Sequence, residues 1–299
     1  MARHLILNPA AGRGSASREG PGLVAAVEAG LGPVTVHRTA APGEARDIAA
    51  SLRDSGHDVI AAGGDGTIHE VVNGLAGGTC RLGIIPVGSG NDFVKILRIP
   101  QDVGQAVAII AGGHTRRLDV GAAGERCFIN QLGAGFDADV VLAGRKVTFL
   151  RGFPFYLASV ARALIRYRNR SIDLVLDGQR ESLRVLMVIV GNGRYAGGGF
   201  MLTPRAEPDD GELDVCIFSA LNIFEIMRHL PKAINGTHII LPQVRYFRAR
   251  RLDLHCRDGM PVQGDGEMFG ERLTDLTVEV MPGALEVFCR PLDDGERSP

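Results

Sequence analysis

The chain has 299 residues, a formal net charge of -1 and a hydrophobic fraction of 45%. This length suffices for two domains with separate cores, and this apolar content excludes a largely disordered chain. The near-neutral charge gives no reason to expect a nucleic-acid partner. Because no transmembrane span, signal peptide or CxxC pair is found, we expect a cytoplasmic protein with reduced cysteines.

Short apolar strands alternate with helices through about the first 120 residues. Strands are predicted over residues 5–7, 34–36, 58–62 and 82–87, and helices over residues 23–31, 45–52, 68–75 and 103–110. Alternation of this kind is typical of a parallel sheet that helices cover on both faces. We therefore predict a three-layer α/β nucleotide-binding domain over residues 1–122.

Most segments in the rest of the chain have the pattern of strands. The predicted strands are residues 126–132, 172–176, 184–190, 213–218, 250–255 and 276–281, and the predicted helices are residues 153–167 and 222–235. Asp177-Gly178 marks a hairpin between two of the strands. This pattern predicts a β-sandwich domain with a few helices over residues 123–299, with the final residues expected to pack on the first domain.

A glycine-rich turn follows the strand of residues 58–62 and leads into a helix. It has the sequence Gly63-Gly64-Asp65-Gly66-Thr67. Glycines let backbone amides surround a phosphate, and a helix N-terminus adds a favourable dipole. Asp65 places a carboxylate beside that phosphate, which suits a bridging Mg²⁺. The alternative is an ordinary strand-to-helix turn in which Asp65 caps the helix.

Two further glycine-rich turns occur after the first and fourth predicted strands, at residues 8–14 and 86–93. Ligands of an open parallel sheet bind beyond the carboxyl ends of its strands, so the three turns together predict one nucleotide site. The P-loop sequence GxxxxGK[ST] is absent. A dinucleotide fingerprint is also incomplete, because Ser17 stands at its third glycine and Arg38 follows the next strand where an acid belongs.

The three turns, in this order and spacing, resemble the catalytic domain of the diacylglycerol kinase family, especially its soluble bacterial lipid kinases. That family includes sphingosine and ceramide kinases, and NAD kinases share the GGDGT element more distantly. The likeness extends over nearly the whole chain, through residues 119–120, 130–138, 191–192, 197–199, 208–215 and 264–267. It implies an ATP- and Mg²⁺-dependent lipid kinase of phospholipid biosynthesis that converts diacylglycerol to phosphatidic acid.

The resemblance also implies roles for individual residues. The residues implied to hold ATP are Asn8, Pro9, Ala10, Ala11, Gly12, Thr39, Gly63, Gly64, Asp65, Gly66, Thr67, Glu70, Gly88, Ser89, Asn91 and Asp92. Catalytic Mg²⁺ would be positioned by Asp65, Asp92 and Asp119. A second, structural metal site is implied in residues 207–214, where Asp210 would be the side-chain ligand and Glu207 and Glu212 would add backbone carbonyls.

Asp265-Gly266-Glu267 is the predicted catalytic segment. The resemblance implies that Asp265 and Glu267 supply the general base, and the sequence leaves open which of the two takes the proton. The chemistry agrees, because phosphoryl transfer to an alcohol uses a carboxylate aimed at the attacking hydroxyl. We expect this turn to reach across a cleft from the second domain. An ordinary solvated turn is the alternative, since Asp, Gly and Glu are common in turns.

Residues 145–170 contain many basic residues, no acidic residue and several interleaved aromatic residues. This composition suits an anionic bilayer, so we predict a lipid substrate at a membrane surface and peripheral association of the protein with that surface. The alternative is a helix that packs its apolar side on the domain and solvates its arginines. The sequence does not fix the oligomeric state, and a homodimer is left open.

Two other functions remain as alternatives. An NAD kinase-like enzyme would also contain the GGDGT element, although the turns after the first and fourth strands are closer to those of lipid kinases. A regulator that binds nucleotide or lipid without turnover is the second alternative. The retained carboxylates Asp65, Asp92, Asp265 and Glu267 argue against it.

Overall fold

The computed structural model describes residues 1–87, 92–147, 150, 152–165, 167–176, 178–197 and 199–291. The chain divides into two compact units, Met1–Leu118 with the segment from Gly283 onward, and Asp119–Pro282. The first is an α/β unit and the second is rich in strands, so the fold class predicted from the sequence is confirmed. Among the described helices, none combines the length and the apolarity needed to cross a bilayer.

The first unit alternates strands with helices. Its strands are β1 (Arg3–Leu7), β2 (Thr35–Arg38), β3 (Asp58–Gly63) and β4 (Arg81–Pro86). Its helices are α1 (Ala11–Leu31), α2 (Glu44–Leu52), α3 (Asp65–Leu75), α4 (Asp92–Ile96) and α5 (Val103–Gly112). β5 (Thr115–Ala123) begins in this unit and continues into the second.

The sheet of the first unit is parallel and has the strand order β2-β1-β3-β4. The chain passes from β1 through α1 to β2, and then through α2 to β3 on the other side of β1. Because such crossovers are right-handed, α1 lies on one face of the sheet, and α2 and α3 lie on the other. The strand order therefore reverses between β1 and β3, where open α/β sheets leave a crevice at the strand ends.

Apolar residues account for the burial of this sheet. All six residues of β3 are buried, as are the last three of β1. Such continuous burial is expected for parallel strands with helices on both faces. Glu286 and Val287, near the end of the chain, extend the sheet by pairing in parallel with Arg81 and Leu82 of β4.

The second unit consists mainly of antiparallel strands. They are β6 (Arg126–Phe128), β7 (Gln131–Gly135), β8 (Arg170–Leu176), β9 (Gln179–Gly191), β10 (Leu213–Ser219), β11 (Val244–Ala249), β12 (Arg251–Gly264) and β13 (Glu267–Phe288), the last of which ends in the first unit. Its helices are α6 (Phe136–Gly144), α7 (Gly152–Leu164), α8 (Ile223–Ile234) and a 3-10 helix, Thr237–Ile240.

Alternation along β9 and β10 divides the interior of the second unit into two cores. Val188 and Val190 of β9 face a core shared with β7, β8 and β12, whereas Met187 and Ile189 face a core shared with α6, α7 and α8. Successive side chains of a strand point to opposite faces, so a single strand contributes to both cores. The second core contains the cavity described below.

Several element boundaries differ from those predicted. α1 begins at Ala11 rather than at residue 23, so part of the predicted glycine-rich turn at residues 8–14 is helical. The strand predicted over residues 126–132 is two strands, β6 and β7. β5, β11 and α6 were not predicted from the sequence. The glycines and Pro21 of α1 are poor helix formers, which explains why local propensity did not predict its start.

Candidate active site

Hydrogen bonds join the turn after β1 to the turn after β3. The backbone N of Asn8 donates to the carbonyl oxygen of Ala62, with 3.1 Å between the two atoms. The side-chain Nδ2 of Asn8 donates to Oγ1 of Thr67 over 2.9 Å, and its Oδ1 accepts from the N of Ala10 over 2.9 Å. The predicted residues Asn8, Ala10 and Thr67 therefore lie together where the strand order reverses.

The turn between β3 and α3 is tight. Gly63 ends the strand, Gly64 precedes the helix, and Asp65 is its first residue. A Cβ on Gly63 would lie 2.5 Å from the side chain of Thr67, so only glycine permits this approach. Gly64 has no side chain with which to cap α3. A helix that starts directly after a strand through a glycine turn is an arrangement that suits a phosphate.

Asp65 and Asp92 are neighbours. Oδ1 of Asp65 accepts a hydrogen bond from the backbone N of Asp92 over 3.1 Å, and the carboxylate of Asp92 pairs with Nζ of Lys95 over 2.7 Å. Carboxylate oxygens are the donors that Mg²⁺ prefers, so the chemistry of this pair fits the predicted ion. The predicted residues of the same turn that lie outside the described part of the chain are Gly88, Ser89 and Asn91.

Glu70 holds the backbone next to these strand ends. Its carboxylate accepts hydrogen bonds from the N of Gly43 over 2.9 Å and from the N of Ala45 over 3.2 Å, at the start of α2. The backbone N of Thr39 donates to the carbonyl oxygen of Leu7, at the end of β1, over 3.0 Å. Glu70 thus orients the segment that follows β2, and Thr39 lies at the same edge of the sheet as Asn8.

Asp119 contacts the loop of residues 207–214. Its Oδ2 accepts from the N of Gly211 over 2.7 Å. Within the loop, Oδ1 of Asp210 accepts from the N of Glu212 over 3.0 Å, and Arg248 forms ion pairs with both of these acids. The structure therefore brings Asp119 together with the residues of the second predicted metal site.

Negative charge accumulates in this loop. Burial raises the pKa of the Asp214 carboxyl to about 6; repulsion from Glu212 and Glu207 adds to this shift, and a hydrogen bond from Tyr246 opposes it. The oxygen donors of such a loop suit a hard cation. No cluster of three or more His, Cys, Asp or Glu side chains within the described residues has the spacing of a metal site. Metal binding by the predicted residues stays a prediction.

The turn between β12 and β13 is built around Asp265. Asp265 has a φ of 51°, in the left-handed region. Its carboxylate accepts three backbone hydrogen bonds, from the N of Ile129 over 2.8 Å, of Asn130 over 2.9 Å and of Gln131 over 3.0 Å. Glu267 begins β13 and is exposed. The structure thus distinguishes the two predicted catalytic acids: Asp265 is fixed by amides, and Glu267 is accessible.

Gln263 and Asp137 extend this turn into the interior, and neither was predicted as a site residue from the sequence. Oε1 of the buried Gln263 accepts from the N of Gly266 over 2.7 Å, and its Nε2 donates to Oδ2 of Asp137 over 2.6 Å. Asp137 lies in the segment Gly135-Phe136-Asp137-Ala138, which had been part of the family resemblance. That segment was the sequence signal that could have pointed to Asp137, but it gave no indication that Gln263 is the hydrogen-bond partner of Asp137.

An apolar cavity of about 50 Å³ lies in the core formed by α6, α7 and α8. Its wall includes Phe136, Phe200, Phe218 and Leu230, together with Asp137. This volume has room for about four water-sized groups. Because a methylene group is of similar size, the cavity suits a short length of hydrocarbon chain.

The basic segment of residues 145–170 is only partly exposed. Arg170 is buried and forms an ion pair with Asp139 over 3.1 Å, and the ring of Tyr156 packs on Phe200 with 4.2 Å between centroids. Arg162 is exposed. Several predicted membrane-contacting residues lie outside the described part of the chain: Phe149, Arg151 and Arg166. Within the described residues, the helix packs an apolar side on the unit, as the alternative interpretation expected.

Two family models match successive parts of the chain. Residues 3–123 match the family model described as the diacylglycerol kinase catalytic domain. Residues 130–289 match the model described as the YegS C-terminal NAD kinase beta sandwich-like domain.

Individual relatives match over most of their length. A diacylglycerol kinase of Bacillus subtilis (strain 168) is 32% identical over 273 residues, which cover 89% of each chain. A diacylglycerol kinase of Mycobacterium tuberculosis (strain ATCC 25618 / H37Rv) is 29% identical over 294 residues, which cover 94% of this chain and 93% of the relative. The crystal structure of a diacylglycerol kinase from Bacillus anthracis str. Sterne superimposes with a TM-score of 0.74 at 25% identity and covers 97% of both chains.

Proposed function

Because the chain belongs to the diacylglycerol kinase catalytic-domain family of lipid kinases, we propose that it transfers the γ-phosphate of ATP to the hydroxyl group of diacylglycerol. The product would be phosphatidic acid. The names of the relatives suggest this acceptor, and one observation carries the proposal: an exposed Glu267 follows a turn that three backbone amides fix in place through Asp265.

The first unit supplies the groups for the nucleotide. The amides at the start of α3 bind phosphate oxygens, and Asn8 and Glu70 hold the adjoining turns in position. Asp65 and Asp92 would hold Mg²⁺, which neutralises charge on the phosphates when it is bound. The Asp65 carboxylate accepts a hydrogen bond from the backbone N of Asp92, which supports placing these two residues in one site.

The second unit supplies the general base. Glu267 accepts the proton of the lipid hydroxyl while the hydroxyl oxygen forms a bond to the γ-phosphorus and the bond from that phosphorus to ADP breaks. Asp265 is less suited to this step, because its oxygens already accept amide hydrogen bonds. We assign Asp265 to positioning the turn that carries Glu267.

The second unit also offers apolar surface for the lipid. The cavity beneath α8 accepts a segment of an acyl chain, and Ile223, Phe224 and Met227 of the same helix are exposed to solvent. Exposed apolar side chains next to an apolar cavity favour a substrate that is taken from a membrane surface. Peripheral binding to a membrane is therefore part of the proposal.

A phosphorylation assay tests this function. The protein is incubated with γ-labelled ATP, Mg²⁺ and 1,2-dioctanoylglycerol in mixed micelles, and the labelled lipid is identified by mass. We expect labelled phosphatidic acid from the wild type and a loss of at least about 100-fold for Glu267→Gln. Phosphorylation of NAD in place of the lipid would favour the NAD kinase-like alternative. Equal and negligible turnover by both proteins over a total lipid extract would favour the regulator.

A further inference from the structure

Asp137 is an acid in an unusual place. It is the only Asp or Glu among the described residues that line the apolar cavity, and only 7% of it is exposed. Burial raises the pKa of its carboxyl to about 6, and the hydrogen bond from Gln263 opposes this shift. A buried carboxyl group next to apolar side chains is costly, so its presence in a wall that aliphatic residues would fill more stably calls for a specific role.

The backbone around Asp137 leaves space for the carboxyl group. A Cβ on Gly133 of β7 would lie 1.9 Å from Oδ2 of Asp137, so any side chain at residue 133 would displace it. Gly135 has a φ of 94°, which lets the chain turn directly from β7 into α6 and places Asp137 in the first turn of that helix. Two glycines thus fix where the carboxyl group lies.

A single side chain connects this carboxyl group to the catalytic turn. Nε2 of Gln263 donates to Asp137, and Oε1 of Gln263 accepts from the N of Gly266, the residue between Asp265 and Glu267. Since Asp137 engages the donor end of the amide, it fixes the orientation in which the acceptor end meets Gly266. The cavity wall and the catalytic turn therefore share one hydrogen-bonded chain.

We infer that Asp137 is the polar contact for a bound acylglycerol: its carboxyl group donates a hydrogen bond to an ester carbonyl of the lipid and, through Gln263, aligns that lipid with the turn carrying Glu267. This inference rests on the proposed function and adds the residue that would recognise the ester. Tyr156 of α7 and His229 of α8 are the other titratable side chains that line the cavity near α6, with His238 of the 3-10 helix. The carboxyl group must be protonated to donate this bond.

Binding measurements test the inference independently of turnover. The dissociation constants of 1,2-dioctanoylglycerol and of its diether analogue 1,2-dioctylglycerol, which has no ester carbonyl, are measured by calorimetry for three proteins at pH 5, below the pKa of about 6 of the Asp137 carboxyl. We expect the wild type to prefer the ester by about 10- to 100-fold, Asp137→Asn to keep this preference because its amide also donates, and Asp137→Leu to lose it. Equal affinity of the wild type for ester and ether would overturn the inference.

The pH dependence supplies a second readout that remains if Asp137→Leu fails to fold. Ester binding by the wild type should weaken as pH rises through about 6, since the ionised carboxylate cannot donate, whereas ester binding by Asp137→Asn should not change there. Asp139→Asn is the matched control, because it removes a carboxyl group of the same helix that pairs with Arg170 instead. A pH dependence shared by the wild type and Asp137→Asn contradicts the inference.

The outcomes separate the inference from the proposed function. If the wild type binds the ester selectively but transfers no phosphate to it, the ester contact stands and the kinase proposal fails. If the wild type phosphorylates both lipids with the same kcat/KM, and Asp137→Leu does so too, the kinase proposal stands and the role of Asp137 fails.

Discussion

Two Asp-Gly pairs, one in each unit, use the same dipeptide differently. Asp65-Gly66 begins a helix, and Asp65 accepts an amide hydrogen bond from Asp92, 27 residues along the chain. Asp265-Gly266 forms a hairpin turn, and Asp265 accepts its amides from residues 134 to 136 positions away. The first turn is therefore shaped mainly by its own strand and helix, whereas the second depends on contacts with a distant segment.

Because of this difference, we assign a chemical role to Asp65 and a structural role to Asp265. Asp65 lies at the start of a helix and accepts an amide hydrogen bond from Asp92, a position that suits a role in holding a cation. The charge of Asp265 is used within the fold, and the accessible acid of that turn is Glu267. Substitutions in the first turn should therefore change activity more than stability, and substitutions of Asp265 should change stability first.

The largest effect is expected for Asp65→Asn. Loss of the carboxylate removes one of the two groups proposed to hold Mg²⁺, and kcat should fall by about 10³-fold with little change in the unfolding midpoint. Steady-state kinetics and urea denaturation measure the two quantities. Asp102→Asn is a matched control, since Asp102 also lies at a helix start, where it accepts from the N of Gln105. A similar loss of activity in both variants would show that the effect is not specific to the site.

The second effect concerns stability in the other turn. Asp265→Ala leaves three amides without their acceptor and should lower the free energy of unfolding by about 2 to 4 kcal/mol. Glu267→Ala, at an exposed position, should change it by less than about 0.5 kcal/mol. Equilibrium urea denaturation of both variants gives the comparison. If the two variants were equally stable, Asp265 would not have the positioning role assigned to it.

The same contrast explains what the sequence could predict. The α/β unit and the turn from Gly63 to Thr67 were predictable because strand, glycine turn and helix follow one another along the chain, and each has a local signal. The length of α1 was not, because its first half contains glycines and Pro21, which disfavour a helix locally.

The predictions for the second unit were less complete. Asp265 and Glu267 were predicted from the sequence as a pair, but their separate environments depend on β7 and on the turn before it. The contact between Asp137 and Gln263 joins residues 126 positions apart, and no local pattern encodes it. α6 was not predicted because it is short and because its buried residues Phe136, Ala138 and Val140 do not follow the 3.6-residue period of an amphipathic helix.

A smaller effect is expected for Glu70→Ala in the first unit. This change removes the acceptor for the amides of Gly43 and Ala45, so the start of α2 should loosen and stability should fall by about 1 kcal/mol. The KM for ATP should rise several-fold, because Thr39 lies at the start of the same segment. Glu28→Ala, an exposed change in α1, serves as the control for the loss of a glutamate. An unchanged KM would separate this segment from nucleotide binding.

The smallest effect is expected for His4, near the start of β1 and away from the strand ends that carry Asp65. His4 lies between His37 and His57, with 3.1 Å from each of its ring nitrogens to a nitrogen of one neighbour. Burial lowers the pKa of His4, and repulsion from the two neighbouring histidines adds to this effect. The unfolded chain therefore binds a proton at His4 more readily than the folded chain does. The contribution of His4 to the free energy of unfolding is present above pH 6.5 and is lost as pH falls below it.

Urea midpoints of the wild type and of His4→Gln between pH 8 and pH 5.5 measure this contribution. The buried carboxyls Asp137 and Asp214 act in the opposite direction, because burial raises their pKa values to about 6 and the folded protein holds their protons more tightly. They are present in both proteins, so the difference between the two midpoints isolates His4. We expect the wild type to lose stability relative to His4→Gln as pH falls, with no change in kcat at pH 8. A difference that does not vary with pH would mean that protonation of His4 is not linked to folding. Substitutions in the first unit would then have effects only at the strand ends that carry Asp65.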